Sequence, residues 1–145
     1  MRNLVTILVV AVLLAGCASK APSGGSPSGV DADLNSCLAH CPDPNVNLEI
    51  GCEQVCYSNA AEATMDVSYC DKMLPRLREN VTDLYDGCVW DVAKGKNDAP
   101  LCDKMKVSSN RDYCILDVAK NTKNPAACDS IKDPSTKNAC ISNAS

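Results

Sequence analysis

Residues 88–94 read Cys88-Val89-Trp90-Asp91-Val92-Ala93-Lys94, and residues 114–120 read Cys114-Ile115-Leu116-Asp117-Val118-Ala119-Lys120. The two stretches lie 26 residues apart and share the order cysteine, two apolar residues, Asp-Val-Ala-Lys. The same interval separates Cys114 from Cys140 and Cys102 from Cys128. A second phrase recurs with it: Cys70-Asp71-Lys72-Met73, Cys102-Asp103-Lys104-Met105 and, more loosely, Cys128-Asp129-Ser130-Ile131. Cys70 to Cys102 is 32 residues, so the first unit carries six more between its two cysteines. A fixed period of this length with helical patterning predicts stacked helix-turn-helix units, each too small to bury a core alone.

The punctuation around the repeats is helical. Asn124-Pro125 and Asp133-Pro134 place a capping side chain before proline at the first helical position, and Asp98-Ala99-Pro100 is a looser version. Ser109 and Asp112 have the spacing of a capping box. Along 111–120, Cys114, Ile115, Val118 and Ala119 gather on one side, and Asp117 stands three residues from Lys120, near enough to pair. No window alternates with period two for long, so the fold expected is all-α: small disulfide-stapled helical hairpins stacked as short repeats. Two pairing registers compete over 67–145. In one, each unit closes on itself through Cys70–Cys88, Cys102–Cys114 and Cys128–Cys140. In the other, Cys88–Cys102 and Cys114–Cys128 pair and strand Cys70 and Cys140. Spacing alone does not fix connectivity, and the first is preferred because it leaves nothing over.

Upstream, residues 34–66 carry a different pattern, Cys37 and Cys41 four apart, then Cys52 and Cys56 four apart. Residues at that spacing share a helix face, so two antiparallel helices can form two rungs, Cys37–Cys56 and Cys41–Cys52. Pro42-Asp43-Pro44-Asn45 between them is strong turn chemistry. This twin pattern resembles the helical hairpins of plant hairpinin peptides and of small mitochondrial intermembrane-space chaperones. The resemblance covers the cysteines alone and implies a fold, with no function attached.

The chain has 145 residues, enough for one modest domain, and 11 cysteines. Phe is absent, Trp90 is the single Trp and there are four Tyr, a poor stock for a conventional core. The first 16 residues form an address. Arg2 is followed by Leu4–Leu14, an apolar run broken only by Thr6. That is short of the ~20 apolar residues that span a bilayer, and fits a signal peptide. Leu14-Ala15-Gly16-Cys17 then resembles the lipobox of bacterial lipoproteins and of similar archaeal ones. The resemblance implies cleavage before Cys17, diacylglycerol on its sulfur and, as a rule, an acylated amino terminus. An ordinary signal peptide cut after Ser19-Lys20-Ala21 is the alternative, and bulky Leu14 argues against small-residue cleavage nearer Cys17. In a two-membrane bacterium, Ala18 after the lipid cysteine would by the same family analogy permit outer-membrane sorting. Residues 17–33 are rich in Gly, Ser and Pro and are expected to be a flexible tether. With Cys17 lipidated, ten cysteines remain, an even set behind an export signal, the signature of a disulfide framework.

Charge narrows the function. The full chain has net charge −4; without Arg2 the 14 basic side chains become 13 against 18 acidic, or −5. Nucleic acid and a polybasic grip on anionic lipid both need the opposite balance. His40 is the single histidine. With Cys37, Cys41, Cys52 and Cys56 it could make a zinc or copper(I) site, but an exported chain usually oxidises such cysteines, so neither metal nor cofactor is expected. The sequence has no Gly-x-Ser-x-Gly, His-Glu-x-x-His, phosphate loop or Cys-x-x-Cys pair, and no catalytic residue is expected. The carboxylate pairs Asp83/Asp86 and Asp129/Asp133 read as solvated faces or caps, and Asp71, Asp103, Asp129, Asp91 and Asp117 as first-turn helix stabilisers. Trp90 is equivalent to Leu116, which favours a core position over an exposed anchor. Asn80 and Asn143 begin glycosylation sequons, meaningful only if the source cell uses them. The expected function is a non-catalytic binding module, anchored by lipid on Cys17, facing the periplasm or cell exterior, with a protein or cell-envelope partner. A hydrolase inhibitor or toxin-like effector presenting Asn45-Val46-Asn47 or Val107–Asn110 is the alternative. A thiolate site for copper or zinc is the second.

Overall fold

The computed structural model describes residues 27–41, 51–76 and 82–145, and every regular element among them is helical. Helix α1 spans Pro27–Ala39 and α2 Cys52–Thr64. The short α3, Ser68–Asp71, precedes a 3-10 turn at Leu74–Arg76. Helix α4 covers Thr82–Lys96, α5 Ser108–Thr122 and α6 Pro134–Ala144, and the 3-10 turns Ala99–Lys104 and Pro125–Ser130 lead into α5 and α6. The long helices stack in chain order, α2 on α4, α4 on α5, α5 on α6, while α1 lies against α2. Five staples join Cys37–Cys56, Cys41–Cys52, Cys70–Cys88, Cys102–Cys114 and Cys128–Cys140. Those in the repeats belong to the self-closing register.

The stack is more uniform than the sequence division at 66/67 implies. Cys56 to Cys70, Cys88 to Cys102 and Cys114 to Cys128 are each 14 residues. Four and five residues after the helix cysteine come Ala60-Ala61, Val92-Ala93 and Val118-Ala119, all buried. Nine residues after it, Met65, Asn97 and Lys123 each turn left-handed, at φ 54°, 55° and 50°. The next amide then reaches back into the helix: Asp66 to the Ala61 carbonyl at 3.2 Å, Asp98 to Ala93 and Asn124 to Ala119 at 2.9 Å. This is the six-to-one closure of a helix end, made here without glycine. The hairpin of α1 and α2 is therefore the first member of the same stack, with a full helix where later units have a short turn. The small Val, Ala and Cys side chains let the helices approach closely, and burying Val89, Val92, Ile115 or Val118 contributes roughly 1.5–3 kcal/mol each.

Several expectations are corrected. Helix α1 begins at Pro27, inside the stretch expected to be tether to residue 33, because Val30 and Leu34 one turn apart are buried and Asp31 accepts from the Tyr69 hydroxyl at 2.8 Å. Asp112 does not cap its own helix: α5 starts after Val107, which has no side-chain cap. Asp98 makes no side-chain cap either, whereas Asn124 accepts from the Ala126 amide at 3.2 Å and Asp133 from Thr136 at 2.7 Å. The Cys17 address, the turn at 42–45, Asn45-Val46-Asn47 and Asn80 lie outside the described residues.

Asp133 carries a pH signature. The backbone N–H of Thr136, then its hydroxyl, holds the carboxyl below the usual aspartate range. A group lowered on folding stabilises fully above its unfolded pKa and loses that contribution as pH falls through the folded value. Asp133→Ala is therefore expected to weaken the protein at neutral pH and to flatten the acid limb of its stability curve. Urea midpoints measured from pH 7 down to pH 2 check this.

Candidate functional site

Two aspartates that recur with the repeat are buried, Asp86 at 1% and Asp112 at 4% exposure. Each stands two residues before a helix cysteine and faces forward to the start of the next unit. Asp86 accepts from the amides of Lys106 at 2.7 Å and Val107 at 3.0 Å and from the Asn110 side chain at 3.2 Å. Asp112 accepts from the amides of Lys132 at 3.2 Å and Asp133 at 2.9 Å and from Arg111 at 2.8 Å. They are caps supplied by the preceding helix, which ties each unit to the next as the staple ties it to itself. The signal was present: 112 minus 86 is 26, and Gln54 and Asn138 hold the same place before Cys56 and Cys140. Reading Asp86 as half of a solvated pair missed it.

The other recurrent aspartates also bind across elements, and of Asp71, Asp103 and Asp129 only Asp71 stands in the first turn of a helix. Asp103 pairs with Arg111 at 2.6 Å, Asp129 with Lys137 at 3.0 Å, and Asp71 with Lys104 at 3.0 Å. The Tyr85 hydroxyl donates to Asp71 at 3.0 Å and occupies the repeat position of Arg111 and Lys137. Burial, then that carboxylate, raises the Tyr85 phenol well above its ordinary range. Trp90 falls between its two readings: half-buried against the core, it donates its indole N–H to Asp117 at 3.2 Å, clasping α4 to α5. Asp117 is thus used by Trp90 and not by Lys120.

A cavity of about 630 Å³ opens across α2, α4 and α5. Glu62 and Asp91 meet there, with Asn59, Lys94 and Asn121 around them. Burial, then the Asp91 charge and a hydrogen bond with it, raises the Glu62 carboxyl above its ordinary value. Glu62 therefore holds its proton more readily than a solvated glutamate does. Gly95 shapes the same wall: a Cβ there would lie 2.6 Å from the Met65 sulfur. The cavity combines an apolar thioether, amides, a cation and acids, a lining suited to recognising a mixed polar ligand or peptide.

The other residues singled out in the sequence stand apart from this cavity. His40 is exposed in the turn that follows α1, its Nδ1 2.7 Å from the Ser36 carbonyl oxygen. Asn143 sits in the last turn of α6, where its amide donates to Ala139 at 2.7 Å. Val107–Asn110 does not form a presented loop: it leads into and forms the first turn of α5, tied at both Val107 and Asn110 to Asp86. No helix among the described residues is long and apolar enough to cross a membrane. No family model, curated protein or solved structure matches the chain.

Proposed function

We propose that this chain is an extracytoplasmic lipoprotein, held to its membrane by lipid on Cys17, whose stapled helical stack binds a protein or cell-envelope partner without catalysing a reaction. The observation that carries the binding reading is the cavity across α2, α4 and α5, a concave mixed surface on a scaffold locked by five disulfides. Such rigidity lowers the ordering cost of association. Disulfide density supports an oxidising compartment, and the apolar run before Leu14-Ala15-Gly16-Cys17 supports export and lipid attachment. The inhibitor reading loses one of its two presented segments, since Val107–Asn110 is fastened into α5.

Mass spectrometry of the mature protein tests the anchor. An amino terminus at Cys17 carrying acyl mass is expected, and Cys17→Ala should move the chain from the membrane to the soluble fraction. An unacylated terminus at Pro22 would end this reading. For the binding surface, crosslinking in native membranes should recover a partner that Lys94→Glu loses while the helical circular dichroism stays unchanged. Equal recovery by the variant would clear the cavity of that role.

A further inference from the structure

The five staples are not equivalent. Cys70, Cys88, Cys102, Cys114, Cys128 and Cys140 are at most 2% exposed, whereas Cys37, Cys41 and Cys52 are half-buried. In the α1–α2 hairpin the two bonds also lie side by side. The sulfurs of Cys41 and Cys56, which belong to different bonds, are 3.8 Å apart, and those of Cys41, Cys52 and Cys56 lie within 4.8 Å of one another. Metal–thiolate bonds of about 2.3 Å place the sulfurs around one ion about 3.8 Å apart. Across the two bonds, Cys41 and Cys56 thus already stand at that spacing, with Cys52 bonded to the first and Cys37 to the second, so reduction would free four thiols around one point.

We propose that the twin rung is a redox-gated site for a thiophilic ion of the copper(I) class, closed when oxidised and opened by a dithiol reductant. Each disulfide accepts two electrons and two protons from one dithiol, giving two cysteine thiols and leaving the reductant as its own disulfide. The ion then displaces the thiol protons and binds as to thiolates, the ligands that select copper(I) over harder cations. Burial sets the order of events. A reductant reaches the rung first, because thiol–disulfide exchange needs access to a sulfur. The three buried staples keep the stack from α3 to α6 closed meanwhile. The proposal stands apart from the partner reading, which uses the cavity across α2, α4 and α5 and no cysteine.

The full-length chain is titrated with dithiothreitol, quenched with an alkylating agent and mapped by peptide mass. Cys37, Cys41, Cys52 and Cys56 should be labelled at reductant concentrations at least tenfold below those that label the other six. Copper(I) is then offered anaerobically against a chromophoric chelator. One equivalent per partly reduced chain and none per oxidised chain are expected. Cys41→Ser with Cys52→Ser, which leaves Cys37–Cys56 intact for reduction, should weaken retention at least 100-fold with the helical signal unchanged. Simultaneous reduction of all five staples, no retention after selective reduction, or equal retention by the double variant would each overturn the proposal.

Discussion

Asp86→Ala is expected to cost about 4 kcal/mol, the largest loss of any single replacement away from the staples. The carboxylate accepts three hydrogen bonds at 1% exposure, two of them from amides with no other partner in the turn before α5. Hydrogen bonds to a charged group contribute roughly 1.5–3 kcal/mol each, and orphaned buried donors add their desolvation cost, so the sum is bounded by what water entering the gap restores. The isosteric change separates the two latches. In Asp86 one oxygen takes Lys106 and the other takes Val107, so Asp86→Asn must turn an amide N–H₂ toward a backbone donor and should lose most of what alanine loses. In Asp112 a single oxygen takes both Lys132 and Asp133. Asp112→Asn keeps those bonds and sets its nitrogen against Arg111, which Asp103 and the Ser130 carbonyl also hold. It should lose about half as much. Urea unfolding with disulfides intact measures all of these; equal losses for the two asparagine variants would refute the latch geometry.

Replacing Cys102 and Cys114 together with alanine should remove about 3 kcal/mol, the loop-closure contribution of a 12-residue separation. The denaturant slope should rise as well, because the unfolded chain is released to expand. The pair lies in the middle of the stack, between α4 and α6, so its loss weakens two interfaces. The Cys128–Cys140 pair has the same separation but serves only α6 and its turn. Its removal should fray α6 locally, seen as fast amide exchange confined to residues past 124. A loss under 1 kcal/mol for the central pair would show that packing alone holds that unit.

The fold was legible because covalent and periodic signals agreed. Cysteines at a fixed interval, proline after Asn124 and Asp133, and the absence of period-two alternation all point to short stapled helices. The start of α1 was obscured by composition: Pro27, Ser28 and Gly29 belong to a linker vocabulary, and it is the burial of Val30 and Leu34 against α2 that recruits them to a helix. The latches were hidden for a related reason. Asp86 and Asp112 satisfy amides 20 and 21 residues downstream, a contact that helix capping rules, which look three residues ahead, do not search for. The cavity across α2, α4 and α5 depends on which helix faces turn outward together. That follows from stacking the hairpin on the repeats, and the equal 14-residue intervals were the overlooked clue.

Those equal intervals also set how the domain yields to force. A chain tethered at one end and gripped through a partner is pulled along its length. The residues enclosed by each staple cannot extend while sulfur is joined to sulfur. Between Cys37 and Cys140 only three stretches are left to lengthen, 56–70, 88–102 and 114–128, each of 14 residues. At about 3.3–3.6 Å per residue each releases at most about 50 Å. Stretched in a single-molecule instrument, the domain should give way in three steps of similar size, a ratchet with a hard stop far short of a bare polypeptide of the same length.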